Sequence, residues 1–139
     1  MIGDWVSVYI EDDDPAQCGY VTCKVEYIND FGDIGAKCND YREEDVEPIP
    51  LTPEILDKNG FEQHINNLRH PQCSYFELAD WSVGWCVHLY PMPNRKYFLE
   101  TSAHVARTIA KTTTAKVIEY IHELQHAIKY SEIEKEIVL

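Results

Sequence analysis

Apolar positions recur along this chain with two periods, first two residues and later close to four. From Asp4 to Ile10, Val6, Val8 and Ile10 interleave with Trp5, Ser7 and Tyr9. That is the alternation of a strand with one buried face. It predicts an inward valine–isoleucine face and leaves Trp5 and Tyr9 on the other side. Tyr20 to Ile28 repeats the pattern, with Val21, Cys23, Val25 and Tyr27 sharing a face. Ile34 to Cys38 and Asp45 to Ile49 read as two further short strands, the second closing at Pro48 and Pro50. Between them lie turn signals: the acidic run Glu11 to Pro15, and Asn29 to Asp33 with its permissive Gly32. Four short strands behind Gly3-Asp4-Trp5-Val6 predict an SH3-like small β-barrel over residues 1–50.

The remainder, residues 51–139, reads as an α+β region. Thr52-Pro53-Glu54 has the form of a helix start, Thr52 as N-cap and Pro53 at the first helical position. Gly60 ends that helix and Phe61 anchors the chain on a core. Glu62 to Gln72 reads as loop. Ser74 to Ala79, Trp81 to Tyr90 and Lys96 to Glu100 predict three antiparallel strands. In the middle one, Trp81, Val83, Trp85, Val87 and Leu89 form the buried face, and Cys86, His88 and Tyr90 point the other way. Thr101 to Thr113 favours strand through its threonines. One of Thr112, Thr113 or Thr114 is then expected to cap a helix.

That helix, Val117 to Tyr130, is the clearest in the chain. Val117, Ile121, Leu124 and Ile128 fall in one sector at 4-3-4 spacing, the stripe of a helix laid on a core. It also holds His122-Glu123-Leu124-Gln125-His126, which fits the H-E-x-x-H pattern of zinc proteases. His122 and His126 stand one turn apart and can reach one ion. Their shared direction is about 150° from the apolar stripe. In a hydrolase they would hold zinc, and Glu123 would activate bound water. A third ligand is needed; Glu132 stands where the extended motif has its last ligand, but Lys129 takes the place of the glycine that would turn the chain back. Glu119 precedes His122 by three residues; Cys86, His88 and His104 are upstream candidates. The Ile133 to Leu139 tail is expected to return as a short strand.

Composition narrows the functions. The chain has 139 residues, net charge −12, twenty-four acidic and twelve basic side chains. That balance argues against direct nucleic-acid binding, which needs Lys and Arg on the phosphates, and against anionic membrane surfaces. It is compatible with a basic protein partner. The five cysteines, Cys18, Cys23, Cys38, Cys73 and Cys86, are odd in number and form no C-x-x-C. With no signal-like start and no apolar run of spanning length, a cytoplasmic location with free thiols is expected.

Three stretches carry a resemblance: Val46 to Phe61 (Val-Glu-Pro-Ile-Pro-Leu-Thr-Pro-Glu-Ile-Leu-Asp-Lys-Asn-Gly-Phe), Tyr120 to Ala127 (Tyr-Ile-His-Glu-Leu-Gln-His-Ala) and Ile133 to Ile137 (Ile-Glu-Lys-Glu-Ile). They resemble a family of small proteins, without an assigned activity, encoded by gut anaerobic bacteria and by their phages and prophages. The resemblance implies a setting rather than a mechanism. Similar helices in that family do not always keep the acidic residue found here at Glu123, which weighs against a catalytic base. The expected function is therefore a non-enzymatic binding or accessory protein of a phage or mobile element, acting on a host protein or a small ligand without a cofactor. Exposed aromatics would carry the contact, with Trp5, Tyr9 and Tyr90 as candidates. The competing expectations are a zinc-dependent hydrolase using His122, His126 and Glu123, and a self-assembling or virion-associated protein that pairs through an edge strand.

Overall fold

A computed structural model describes residues 1, 3–10, 13–16, 18–29, 34–36, 39–41, 46–65, 74–105 and 108–139. The protein is α+β, mostly antiparallel sheet with one helix near its C-terminal end. It divides into two compact units, Met1–Ile49 and Pro50–Leu139.

In the first unit, β1 (Trp5–Ile10) lies between β2 (Gly19–Lys24) and β6 (Val46–Pro48), antiparallel to both. A second three-stranded sheet joins β3 (Tyr27–Ile28), β4 (Ile34–Ala36) and β5 (Asn39–Tyr41). Val6, Val8, Cys23, Val25 and Ala36 are the core, with Ile34 and Val46 packed against it. The strand expected at Tyr20 to Ile28 breaks at Val25-Glu26. There the Val25 N–H donates to Asp4 O at 2.9 Å and the Glu26 N–H to Gly35 O at 2.7 Å. The break passes the chain from one sheet to the other and ends the two-residue period. Tyr27 is therefore exposed rather than part of the buried face, and its ring lies across Gly35, the residue opposite it. A Cβ at Gly35 would overlap that ring. The strand β5 was not expected from the sequence. Cys38, residues 30–33 and Asp45 lie outside the described residues.

The second unit opens with α1 (Pro53–Lys58). Thr52 Oγ1 accepts from the Ile55 N–H at 3.4 Å, and Gly60 takes φ +82° just past the end. Five strands follow in chain order as one antiparallel meander: β7 (Glu62–Ile65), β8 (Ser74–Asp80), β9 (Trp85–Pro91), β10 (Tyr97–Val105) and β11 (Thr108–Ile118). A single 3₁₀ turn, Pro93–Arg95, joins β9 to β10. Then comes α2 (Ile121–Tyr130).

One face of this sheet is the core. Phe76, Val87, Leu89, Tyr97, Leu99, Thr101 and Ile118 lie under Leu56, Phe61, Ile121, Leu124, Ala127, Ile128, Ile133 and Ile137. The end of α2 is fastened to the same face, since Ser131 Oγ is 2.7 Å from Thr101 Oγ1 and 3.3 Å from Thr114 Oγ1. Both helices therefore cover a single side.

Four sequence expectations need correction here. Glu62 to Ile65 is an edge strand, not loop, because it completes the backbone hydrogen bonds of β8. Trp81 and Val83 belong to no buried face: Trp81 to Gly84 is a turn, leaving them 57% and 73% exposed. Asp80 builds that turn by accepting from the Ser82 and Val83 N–H groups, and Gly84 takes φ +90°. Val117 and Thr112 to Thr114 lie in β11, so the helix starts four residues later than expected, with Tyr120 as its N-cap. Ile133 to Leu139 forms no strand; it is held by buried Ile133 and Ile137 and by Asn59.

Candidate functional site

The other face of the five-stranded sheet carries side chains that no described helix covers. In an antiparallel pair, directly opposed residues share a face. The register therefore lays two neighbouring rows across the sheet. One row is His64, Tyr75, Tyr90, Phe98 and Val117. The other is Glu62, Glu77, His88, Glu100 and Ala115. Cys86 and Ser102 sit opposite each other beyond the second row, both buried.

The first row is a continuous run of rings. His64 stacks on Tyr75 with centroids 4.9 Å apart, Tyr75 meets Tyr90 at 5.6 Å, and Tyr90 meets Phe98 at 6.3 Å. Spacings of this size are those of favourable aromatic pairs. The second row centres on Glu77. One carboxylate oxygen is 2.7 Å from His88 Nε2, and the other lies 3.4 Å from His64 Nε2. The second contact is an ion-pair distance without hydrogen-bond geometry, so His64 Nε2 is a buried atom with no hydrogen-bond partner. Tyr75, Glu77, His88, Tyr90, Phe98 and Glu100 are all half-buried.

The field on this face is negative. Burial raises the Cys86 thiol above its usual range, and the charges of Glu77 and Glu100 add to it. Burial likewise raises the Tyr90 phenol, helped by Glu100, Tyr75, Cys86 and Glu77. Two carboxylates therefore act on the same two side chains. Among the described side chains, neither row contains a Lys or Arg.

Trp5 and Tyr9 occupy a different surface, the outward face of the β2-β1-β6 sheet in the first unit. Register places Lys24 opposite Trp5, Thr22 opposite Ser7, and Tyr20 opposite Tyr9. The Lys24 ammonium stands 5.1 Å over the Trp5 ring, a cation–π pair. Tyr9 and Tyr20 meet edge to face at 5.2 Å and remain 41% and 58% exposed. The Tyr20 hydroxyl donates to Glu47 Oε1 at 3.0 Å, and this bond with Glu47's charge raises the phenol's pKa. Trp5 and Tyr9 belong to the first unit, and Tyr90 belongs to the ring row of the second.

On α2, the H-E-x-x-H residues have structural work. Glu123 Oε2 accepts from the Glu119 N–H at 2.7 Å and the Tyr120 N–H at 3.0 Å. That carboxylate caps the helix, satisfying backbone donors that a helix start leaves open. A group so engaged is poorly placed to take a proton from bound water. His122 stacks on Tyr120, centroids 5.8 Å apart, and meets His126 at 5.7 Å. Both histidines are half-buried. Among the described residues, no three His, Cys, Asp or Glu side chains gather as a metal-ligand group.

Sequence reasoning placed Cys86, His88 and Tyr90 on a shared face but missed Tyr75, Glu77, Phe98 and Glu100 beside them. The signal lay in the register of two hairpins. Alternation along Tyr75, Glu77 and Ala79 fixes a face for β8, but only the turn at Trp81 to Gly84 fixes which strand positions oppose one another. His64 was unreachable because its segment reads as loop. Comparison with protein-family models, with curated proteins and with solved structures finds no match.

Proposed function

We propose that this is a non-enzymatic binding protein, an accessory of a phage or mobile element, that acts by docking on a host protein. The observation that carries this reading is the aromatic group on β1 and β2, half-buried Trp5 with exposed Tyr9 and Tyr20, set on a three-stranded sheet. Large rings fixed by strand geometry bury much area while losing little side-chain entropy. Charge supports the same reading and suggests the partner's sign. Residues 1–49 contain thirteen acidic and three basic side chains, a net −10, against eleven and nine, a net −2, in residues 50–139. A partner with a basic docking surface would be steered toward the first unit.

The finer architecture belongs to this reading. We read the strand orders β2-β1-β6 and β3-β4-β5, with the chain crossing between sheets at Val25-Glu26, as support for an SH3-like barrel. Barrels of that kind serve many partners, so the surface rather than the fold names the role. The capping duty of Glu123 favours this over the zinc hydrolase.

The test is a paired pull-down from lysate of the encoding bacterium, using the wild type and a Tyr9→Ala/Tyr20→Ala variant of unchanged thermal stability. The expected result is a host protein retained by the wild type, lost in the variant and released by salt. A partner retained equally by both proteins would remove this surface from the reading.

A further inference from the structure

The geometry points to a second binding site, on the face of the β7–β11 sheet that no described helix covers, for an organic cation: an ammonium group carried on an apolar body. This stands apart from the protein-docking reading, since it uses the other unit and none of the same residues.

The argument begins with shape. Tyr75, Tyr90 and Phe98 form a run of tilted rings on three consecutive strands, an aromatic surface along one row of the sheet. The apolar body of a ligand has a place to lie there. Immediately beside this run, two residues along each strand, is the row of Glu77, His88 and Glu100. The two rows share one face, so a ligand lying on the rings brings its head group to the carboxylates.

The charge of that row is what selects a cation. His88 Nε2, 2.7 Å from one carboxylate oxygen, fixes the orientation of Glu77, and His64 Nε2 lies 3.4 Å from the other. A ring nitrogen at hydrogen-bond distance from a carboxylate oxygen orients that carboxylate. Glu100 stands opposite His88 on the next strand, so the row carries two acidic groups flanking one imidazole. Neither row has a Lys or Arg among its described side chains. Burial is the main cause of the raised Cys86 and Tyr90, and the charges of Glu77 and Glu100 add to both in the same direction. Ring faces add a second attraction of the same sign, because the aromatic quadrupole presents negative charge to a cation above it. An anion would meet repulsion from both rows. A neutral aromatic compound would meet the rings but leave the carboxylates uncompensated.

The experiment titrates the full chain with benzyltrimethylammonium, beside benzyl alcohol as the neutral analogue and benzoate as the anionic one. Binding is followed by chemical-shift changes of the Tyr75, Tyr90 and Phe98 ring protons. The expected result is saturable binding of the cation, at least about tenfold tighter than benzyl alcohol, with no binding of benzoate. Glu77→Gln/Glu100→Gln keeps side-chain shape and should weaken the cation about tenfold while leaving benzyl alcohol unchanged. Tyr90→Ala should weaken both. Equal affinity for cation and alcohol, an unchanged affinity in the Gln variant, or no saturation by the cation at millimolar concentration would each overturn the site. Folding of each variant is checked by the upfield methyl signals of Leu89 and Leu99, which lie on the opposite face.

Discussion

Asn59 holds Val138 by both edges of its backbone. The Asn59 amide nitrogen donates to Val138 O at 2.8 Å, and the Val138 N–H donates to Asn59 Oδ1 at 2.8 Å. The same amide nitrogen also donates to Ile55 O at 2.8 Å. One buried side chain therefore finishes α1 and fastens the tail that brings Ile137 into the core. The tail needs no strand partner because an asparagine amide mimics one. Asn59→Ala removes three bonds, and each is worth about 1 kcal/mol net. Part of the loss is recovered, because the Val138 groups can bind water once released. The expected cost is about 2 kcal/mol, read as a lower urea midpoint with an unchanged slope. Asn59→Asp keeps the acceptor but turns a carboxylate oxygen toward the Ile55 and Val138 carbonyls, so its midpoint should fall at or below that of Asn59→Ala. A midpoint for Asn59→Ala equal to wild type would show that the tail is held by Ile133 and Ile137 alone.

Glu123 supplies a discriminating variant for α2. Its carboxylate accepts from two backbone N–H groups at the helix start. Glu123→Ala should cost about 1 kcal/mol, in the range of lost helix caps. Glu123→Gln keeps an acceptor oxygen and should cost less than half of that. His122→Ala/His126→Ala leaves the cap intact. Metal analysis of the purified, untagged protein should show the same zinc content for wild type and the histidine variant. Stoichiometric zinc in the wild type, lost in that variant, would restore the metal reading despite the cap.

Much of the fold was legible because it obeys local rules. The Thr52 cap, Pro53, Gly60 and buried Phe61 were all readable from residue type, since each depends on contacts within one turn. The three central strands and the stripe of Ile121, Leu124 and Ile128 were readable from period. The failures have other causes. Val117 fits the helical stripe, but it continues the pairing of β11 with β10, where it opposes Phe98 and stays 46% exposed. Trp81 and Val83 continue an alternation that Asp80 and Gly84 interrupt by building a turn. In the second case a local turn cut the alternation short; in the first, register decided, and register depends on residues distant in sequence. The candidate site was half legible for the same reason. Alternation found His88 and Tyr90, while their neighbours Glu77 and Phe98 came from strands whose offset no local pattern states.

Titration at the alkaline end offers a third prediction. Burial raises the Tyr97 phenol, with a smaller push from the charge of Glu54. Cys86 and Tyr90 are raised as well, chiefly by burial. For an acid whose folded pKa is raised, the folded state binds its proton more tightly than the unfolded state. Its stabilising effect is complete below the unfolded pKa and is lost as pH rises through the folded one. The window thus opens near pH 8.5 to 9 with the thiol and near pH 10 with the phenols, their ordinary values being about these. Urea midpoints measured from pH 7 to 11 should fall progressively above about pH 9. Tyr97→Phe should flatten the part above about pH 10. An alkaline limb of the same depth in Tyr97→Phe would assign it to Cys86 and Tyr90 instead.

The turn between β9 and β10 contains a correctable strain. Asn94 and Arg95 have φ of 63° and 61°, two consecutive left-handed residues, and the Met92 N–H donates to Lys96 O at 2.9 Å across their base. Asparagine tolerates that region through its short polar side chain, whereas arginine pays about 1 kcal/mol for its Cβ. Glycine at the second position carries no such cost, and Asn-Gly is a favoured pair in tight hairpins. Glycine also loosens the unfolded chain, which offsets part of the gain. The expected net effect of Arg95→Gly is a stabilisation of about 0.5 kcal/mol, visible as a higher urea midpoint. Arg95 is exposed, so the change removes no packing. Arg95→Ala separates the two contributions, because it deletes the side chain and keeps the Cβ. Its midpoint should match wild type within about 0.3 kcal/mol, as expected of a surface position. If Arg95→Ala stabilised as much as Arg95→Gly, the relief would lie in the lost guanidinium and not in the backbone.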